Sequence, residues 1–343
     1  MTRTALLALA STLVLLGCAE TSAPLPPPDE VLLVVNSTEA SLSVVPVDNP
    51  GAAVKIPLGG TTPTPVGVSA REGVAIVPMG LDNAVAVVDL RQARVLRTIP
   101  LAANSGATGS AVVDDSIAYV ANPNLNTVTR VNYLTGDTAS LAVGVFPQGV
   151  VFSRGRIFVL NGNLVNFVPA GPSWLTVINP TTHTVENDSV PLTGPGNAGF
   201  ADEGADGILY VMNTGPYDGI TPGRLSLVDP VGQNELASFA GFGNAPGPVA
   251  AGTGRLYVSS YAEGLMVFDT DQRRVVRGAG NGLPIANNAT VAVDAEGRIY
   301  ALETGPCSGG VPGKAHVLRP DLSEIRQITL GECPVGALVT EIP

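Results

Sequence analysis

One short unit recurs along most of this chain, and it constrains the fold more than any other feature of the sequence. The unit is an apolar strand ending in a small or amide residue, a turn, an alternating strand ending in Asp or Asn, and a third strand. Its clearest copy is IAYVANPNLNTVTRVNYLTGD, at 117–137. Equivalent positions follow in steps of 42, 44, 39, 52, 47 and 43 residues, at Leu33, Ala75, Tyr119, Phe158, Tyr210, Tyr257 and Tyr300. Seven copies at this period predict seven four-stranded blades.

A further apolar segment precedes most copies and supplies the predicted innermost strand of each blade. Examples are PVGVSA at 65–70, QGVVFS at 148–153 and ATVAVD at 289–294. The chain starts with a strand of the second type at 31–36 and ends with a strand of the first type at 334–342. The last strand therefore completes the first blade and covers its exposed edge. These features predict an all-β, seven-bladed β-propeller over 31–343.

The third copy resembles the YVTN-type repeat family. YVAN, NTV, the turn TGD and VGVFPQGVVFS follow one another in the family's order. The resemblance extends over 31–343 and is weaker in the first, second and fourth copies. It implies a seven-bladed propeller. Members of the family are mostly structural or binding proteins of the cell envelope, and the resemblance transfers no functional residues.

The first 30 residues have the pattern of an export signal followed by a tether. Residues 1–17 carry Arg3 and then an apolar run too short to span a bilayer, so we expect a signal peptide. The run ends in LLGC, which resembles the bacterial lipobox and implies lipidation of Cys18; an ordinary secretory leader is the alternative. Ala19 after the cysteine implies the outer membrane in a Gram-negative envelope. The remainder of 18–30 is a proline-rich tether.

The charge balance limits the partners. The formal net charge is −11, which argues against binding to nucleic acid. The expected partners are the membrane, through the lipid, and an envelope protein or glycan. We expect a monomer.

Three loops between second and third strands are long, and all such loops should share one face with the loops that join blades. They are 162–173, 214–223 and 304–314. Aromatic and arginine side chains commonly dominate recognition surfaces. The candidate ligand contacts on this face are Phe167, Trp174, Tyr217, Asp218, Arg224, Glu303 and Lys314. The alternative is that the cations begin third strands and the aromatic rings pack the loops down.

The cysteines and histidines give one prediction and one exclusion. Cys307 and Cys333 form an even pair in an exported chain, which favours a disulfide. A metal site at these two thiols is the alternative, but the sequence offers it no further cysteine and no nearby histidine as ligand. His183 is predicted in a turn on the opposite face, and His316 within a third strand. Triad and histidine-metal chemistry at the channel mouth are therefore not expected.

Carboxylates and amides leave one catalytic alternative. Glu303, Glu263, Asp82 and Asp218 could lie on the loop face, with Gln148, Asn197, Asn287 and Asn288 near the channel mouth. Among them, Asn197, Asn288 and Glu303 are candidate calcium or magnesium ligands. Lactonases similar to regucalcin use such a set, although they have six blades and no ligand motif matches here. We therefore expect a binding module without a cofactor, with a divalent-metal lactonase or related hydrolase as the alternative and a redox propeller as a third option.

Overall fold

The chain forms a ring of antiparallel sheets. A computed structural model describes residues 29–343, and its strands form seven four-stranded sheets and one small two-stranded hairpin. The innermost strands of neighbouring sheets contact one another around the whole ring and enclose a central channel. The predicted all-β, seven-bladed propeller is confirmed.

The strands are numbered in chain order. Blade one contains β1 (Asp29–Asn36), β2 (Ser41–Pro46), β3 (Val54–Pro57) and the final strand, β30 (Pro334–Ile342). Blade two contains β4 (Ser69–Arg71), β5 (Val74–Pro78), β6 (Ala84–Asp89) and β7 (Arg94–Pro100). Blade three contains β8 (Ser110–Val112), β9 (Ile117–Asn122), β10 (Thr127–Asn132) and β11 (Thr138–Ala142). Blade four contains β12 (Pro147–Ser153), β13 (Arg156–Asn161), β16 (Trp174–Asn179) and β17 (Thr184–Pro191), with the hairpin β14 (Leu164–Val165) and β15 (Val168–Pro169) in its loop.

The remaining blades follow the same pattern. Blade five contains β18 (Ala198–Glu203), β19 (Leu209–Asn213), β20 (Arg224–Asp229) and β21 (Asn234–Phe239). Blade six contains β22 (Pro246–Gly252), β23 (Arg255–Ser260), β24 (Gly264–Asp269) and β25 (Arg274–Arg277). Blade seven contains β26 (Asn288–Val293), β27 (Ile299–Glu303), β28 (Pro312–Leu318) and β29 (Glu324–Glu332). Two short 3-10 turns lie at Pro50–Ala52 and Pro123–Leu125.

Blade one is built from both ends of the chain. β1 pairs with β2 on one side and with β30 on the other. Asp29 and Glu30 pair with Ile342 and Glu341, so the first strand begins two residues before the predicted boundary at 31. The predicted signal peptide, Cys18 and the tether as far as Pro28 lie outside the described residues.

The repeated position of the sequence lies in the second strand of every blade and is buried between blades. Tyr119, Tyr210 and Tyr300 are fully buried there. A buried hydroxyl needs a hydrogen-bond partner. The Tyr210 hydroxyl donates to Asp206 at 2.7 Å and the Tyr300 hydroxyl to Asp294 at 2.8 Å. The Tyr119 hydroxyl lies 2.9 Å from Nδ1 of His183, in the turn before β17 where the sequence predicted that histidine.

The amide that ends four of the second strands is structural. Each of these asparagines is buried, and its Nδ2 donates to a hydroxyl of the third strand at 2.8–3.0 Å. The pairs are Asn36 with Ser43, Asn122 with Thr129, Asn161 with Thr176, and Asn213 with Ser226. The repeated asparagine thus ties together two strands at the end of the blade that bears the long loops.

Among residues 29–343, no helix has the length and apolar character needed to cross a membrane.

Candidate binding site at the channel mouth

A ring of very small residues forms the wall of the channel near the long loops. One residue of each blade contributes: Gly67, Gly109, Gly149, Gly199, Gly247, Ala289 and Gly336. The backbones of neighbouring inner strands approach closely here. A Cβ on Gly149 would lie 2.6 Å from the carbonyl oxygen of Gly199, and a Cβ on Gly109 would lie 2.4 Å from that of Gln148. Glycine is therefore required at these two positions for the ring to close.

A cavity of about 620 Å³ opens at this mouth. Glycine, alanine, valine and proline form most of its wall, and Phe200, Tyr217 and Tyr261 provide aromatic surface. Gln148, Thr108 and Asn244 are among its polar groups. In the part of the chain that the structure describes, no Asp, Glu, Lys, Arg or His side chain lines the cavity. This absence of charge is the main chemical property of the site.

Two tyrosines stand at the rim. Tyr217, in the 214–223 loop, is 73% exposed, and Tyr261, in the short loop after β23, is 56% exposed. The Tyr217 loop is held in place because Gly223 N donates to the Gly243 carbonyl and Asn244 Nδ2 donates to the Gly219 carbonyl, each at 2.9 Å. The buried part of the Tyr261 side chain raises the pKa of its phenol.

Most polar groups of the wall are already bonded to the protein. Gln148 Nε2 donates to Asn197 Oδ1 at 2.8 Å, and Asn197 Nδ2 donates to the Gly215 carbonyl at 3.0 Å. The Thr108 hydroxyl donates to the Gln148 carbonyl at 2.9 Å. These bonds join the segments of neighbouring inner strands and tie one of them to the 214–223 loop, and they leave few free donors for a ligand.

Of the seven predicted ligand contacts, Tyr217 lines the cavity. Phe167 lies between the two strands of the β14–β15 hairpin, is 73% exposed, and its ring centre is 5.6 Å from that of Phe146. Trp174 begins β16, and its indole covers Gly144. Phe167 and Trp174 therefore lie outside the cavity wall.

Asp218 and Arg224 are used within blade five. The Asp218 carboxylate accepts hydrogen bonds from the N–H groups of Thr221 and Ile220, each at 2.8 Å, and these bonds lower its pKa. Arg224 donates to the hydroxyl of Ser238 at 3.0 Å and to its carbonyl at 3.2 Å. These contacts support the interpretation that Asp218 shapes its loop and that Arg224 begins a third strand.

Glu303 and Lys314 form a group with a histidine in blade seven. Glu303 Oε2 lies 3.4 Å from Lys314 Nζ and 3.0 Å from His316 Nε2. His316 and Lys314 both belong to the third strand, β28. The other carboxylates considered from the sequence also hold backbone N–H groups: Asp82 accepts from Thr61 and Thr62, and Glu263 from Gly280.

The candidate metal ligands turn toward separate protein partners. Asn197 bonds Gln148 and Gly215 as described above, Asn288 Nδ2 donates to the Gly264 carbonyl at 3.1 Å, and Glu303 lies beside Lys314. Within 29–343, one group of three acidic side chains brings ligand atoms close together: Glu30, Asp294 and Glu296. It lies beyond the far end of β26, and Asp294 already accepts from Arg298 and Tyr300. At the channel mouth, Asn197 Oδ1 and Glu303 therefore bond to protein groups, whereas Asn288 Oδ1 is buried without a hydrogen-bond partner in the described part of the chain.

The predicted disulfide between Cys307 and Cys333 is present. It joins the loop after β27 to the residue before β30. Ser37 N donates to the Cys333 carbonyl at 2.9 Å, and the Thr38 hydroxyl lies 3.4 Å from the Cys307 carbonyl. The bond therefore fastens blade seven to blade one at the end that bears the long loops.

Comparison with known proteins shows the fold. No family model and no curated protein matches the chain, so the YVTN-type resemblance stays a prediction. Hydrazine synthase of Kuenenia stuttgartiensis, a solved structure, is similar over 90% of this chain and 99% of its own, with a TM-score of 0.65 and 13% identity. A streptogramin B lyase structure is similar over 92% and 95%, with a TM-score of 0.61 and 12% identity.

These similar structures are β-propellers. At such low identity they show the architecture and transfer no activity to this chain.

Sequence reasoning did not find Phe200 and Tyr261 as site residues. Tyr261 lies in one of the short loops, whereas the predicted contacts centre on the three long ones. The segments predicted as innermost strands, such as PVGVSA at 65–70 and QGVVFS at 148–153, contain residues of the channel wall. Their repeated glycine was the available signal.

Proposed function

We propose that this chain is a rigid extracytoplasmic binding module, held at a membrane by a lipid on Cys18, that binds an envelope protein through its loop-bearing face. The loop-bearing face consists of the loops 162–173, 214–223 and 304–311 with the segments that join successive blades. The observation that carries the proposal is the exposure of large apolar side chains on these loops. Phe167 and Tyr217 are each 73% exposed and Ile220 is 82% exposed.

Exposed aromatic groups favour a protein partner. The centres of protein interfaces are enriched in aromatic residues and depleted of charge. Two exposed aromatic side chains and one exposed isoleucine, on loops of two neighbouring blades, match that composition. A glycan is the other outcome of the test below.

The direction of the first strand orients the module. β1 runs from Asp29 to Asn36, and Asn36 leads into a loop on the loop-bearing face, so Asp29 lies at the opposite end of blade one. A tether from Cys18 to Pro28 has eleven residues and reaches at most about 40 Å when extended. A lipid on Cys18 would therefore hold the end without long loops toward the membrane and leave the loop-bearing face free.

The hydrolase alternative has weaker support. General acid–base or metal chemistry needs ionisable groups at the reacting atoms. The carboxylates considered from the sequence all bond to backbone N–H groups of loops or to a lysine. Among the described residues, the cavity wall has no Asp, Glu, Lys, Arg or His side chain, and its only acid–base groups are the phenols of Tyr217 and Tyr261.

A photo-crosslinking experiment tests the binding face. A benzoylphenylalanine at Ile220 should form one major adduct with an envelope protein in intact cells. The matched control is Val231, which is 76% exposed in the turn between β20 and β21 at the opposite end of the same blade. Adducts from Val231 alone, or none from Ile220, would contradict the proposal, and an adduct with glycan alone would replace the protein partner.

The anchor has its own test. Cys18→Ala should abolish labelling of the protein by a radioactive fatty acid. Labelling of the variant equal to that of the wild type would refute lipid anchoring while leaving the binding face open to the crosslinking test.

A further inference from the structure

We infer that the cavity at the channel mouth binds a small, neutral and largely apolar ring compound. This inference goes beyond the proposed function, because such a ligand would occupy the interior of the ring whether or not a protein contacts the loops. It rests on the charge, the size and the hydrogen bonding of the cavity wall.

The absence of charge excludes ionic ligands. The chain has 18 basic and 29 acidic residues, yet none of those that the structure describes lines the cavity. Moving an ion from water into an apolar site without a counter-charge costs several kcal/mol or more. Phosphates, carboxylates and ammonium compounds are therefore poor ligands for this wall.

The hydrogen bonds of the wall exclude sugars as well. A sugar needs many donors and acceptors, and each hydroxyl left unpaired on burial costs about 1–3 kcal/mol. The side-chain N–H of Gln148 is already given to Asn197, and the hydroxyl of Thr108 to the Gln148 carbonyl. Apart from the buried Thr214 hydroxyl, which has no partner among the residues that the structure describes, and the two phenols at the rim, the wall therefore offers a ligand mainly backbone, methyl and ring surface.

The size and the aromatic side chains fit one compact ring system. A cavity of about 620 Å³ lies within the range of roughly 300–1,000 Å³ that holds a drug-sized molecule. Phe200, Tyr217 and Tyr261 belong to blades five and six, so their rings are gathered on one side of the mouth. Offset or edge contacts with these rings favour a flat unsaturated ligand.

Two dyes that differ by one charge test the inference. The neutral dye N-phenyl-1-naphthylamine should bind the purified soluble domain at one site per chain with a rise in fluorescence. Its 8-sulfonate should bind at least tenfold more weakly, because the sulfonate finds no counter-charge in the wall. Equal affinity for both dyes, or no saturable binding of the neutral dye, would overturn the inference.

A charge placed in the cavity should reverse this preference. Phe200 lines the wall and is partly exposed, so Phe200→Lys is compatible with folding. The substitution should weaken binding of the neutral dye at least tenfold and strengthen binding of the sulfonate. The matched control is Phe167→Lys, an exposed phenylalanine outside the cavity, which should leave both affinities unchanged.

Equal effects of the two substitutions would show adsorption to exposed apolar surface and overturn the inference. The crosslink from Ile220 is measured without dye. The failure of this inference and the failure of the proposed function can therefore be distinguished.

Discussion

Removing the disulfide should weaken the closure of the ring by a predictable amount. Cys307 and Cys333 are separated by 26 residues, and the bond restrains that loop in the unfolded chain. The chain-entropy model gives a loss of about 3.5 kcal/mol when a loop of this length is released. β30 remains paired with β1 in the native state, so the variant Cys307→Ser with Cys333→Ser should keep its fold and lose stability.

Denaturant and thermal unfolding measure this loss. For a chain of this size, about 3.5 kcal/mol corresponds to a fall in Tm of about 5 °C. Reduced wild-type protein should unfold at the same denaturant concentration as the double variant, and a reducing agent should not affect the variant. Hydrogen exchange should show reduced protection in β30 before other strands.

A loss below about 1 kcal/mol in both the reduced protein and the double variant would refute this reasoning. It would mean that loss of the disulfide does not increase the conformational entropy of the unfolded chain, or that strain in the native disulfide offsets the gain.

Three further predictions follow from single positions and from ion binding. Gly149→Ala should lower the free energy of unfolding by about 1–3 kcal/mol, because its Cβ would meet the Gly199 carbonyl oxygen at 2.6 Å. Gly199→Ala should lower it less, because its Cβ would meet only the Gln148 side chain at 3.5 Å. Equal losses of the two variants in chemical denaturation would contradict the close approach. Burial raises the pKa of Asp202 to about 6, so the native state holds a proton that the unfolded chain releases near pH 4. Stability should therefore fall by up to about 3 kcal/mol from pH 4 to above pH 6, and denaturation of Asp202→Asn across that range should lack this component. Calcium or magnesium should leave the Tm unchanged relative to EDTA. An ion that binds the native state, present at 100 times its Kd, would instead add about 2.7 kcal/mol to the free energy of unfolding. A clear rise in Tm would therefore favour the hydrolase alternative.

The features that are local in sequence were predictable. The seven copies of the strand pattern, the unmatched strand at each end and the pair of cysteines each follow from neighbouring residues or from simple counting. The alternation of apolar residues fixes which side of a strand is buried. The position of Tyr119 and its equivalents in the second strand of each blade follows for the same reason.

The composition of the site was less predictable because it depends on how the ring closes. Arg224 and Lys314 carry charges typical of recognition surfaces, but Ser238 and Glu303 bind them within their own blades. The cavity wall is formed by residues from seven separated segments that meet at the axis. No short stretch of sequence shows that such residues share a surface or that charge is absent from it.

Because β1 and β30 share blade one, the blade can be completed only late in synthesis. Of the strands that the structure describes, β1 is made before all the others and its partner β30 after them. Until β30 is made, the edge of β1 stays open to pairing with another chain. A chain cut before Pro334 would keep six complete blades and one open edge, so we expect it to aggregate rather than to form a smaller ring.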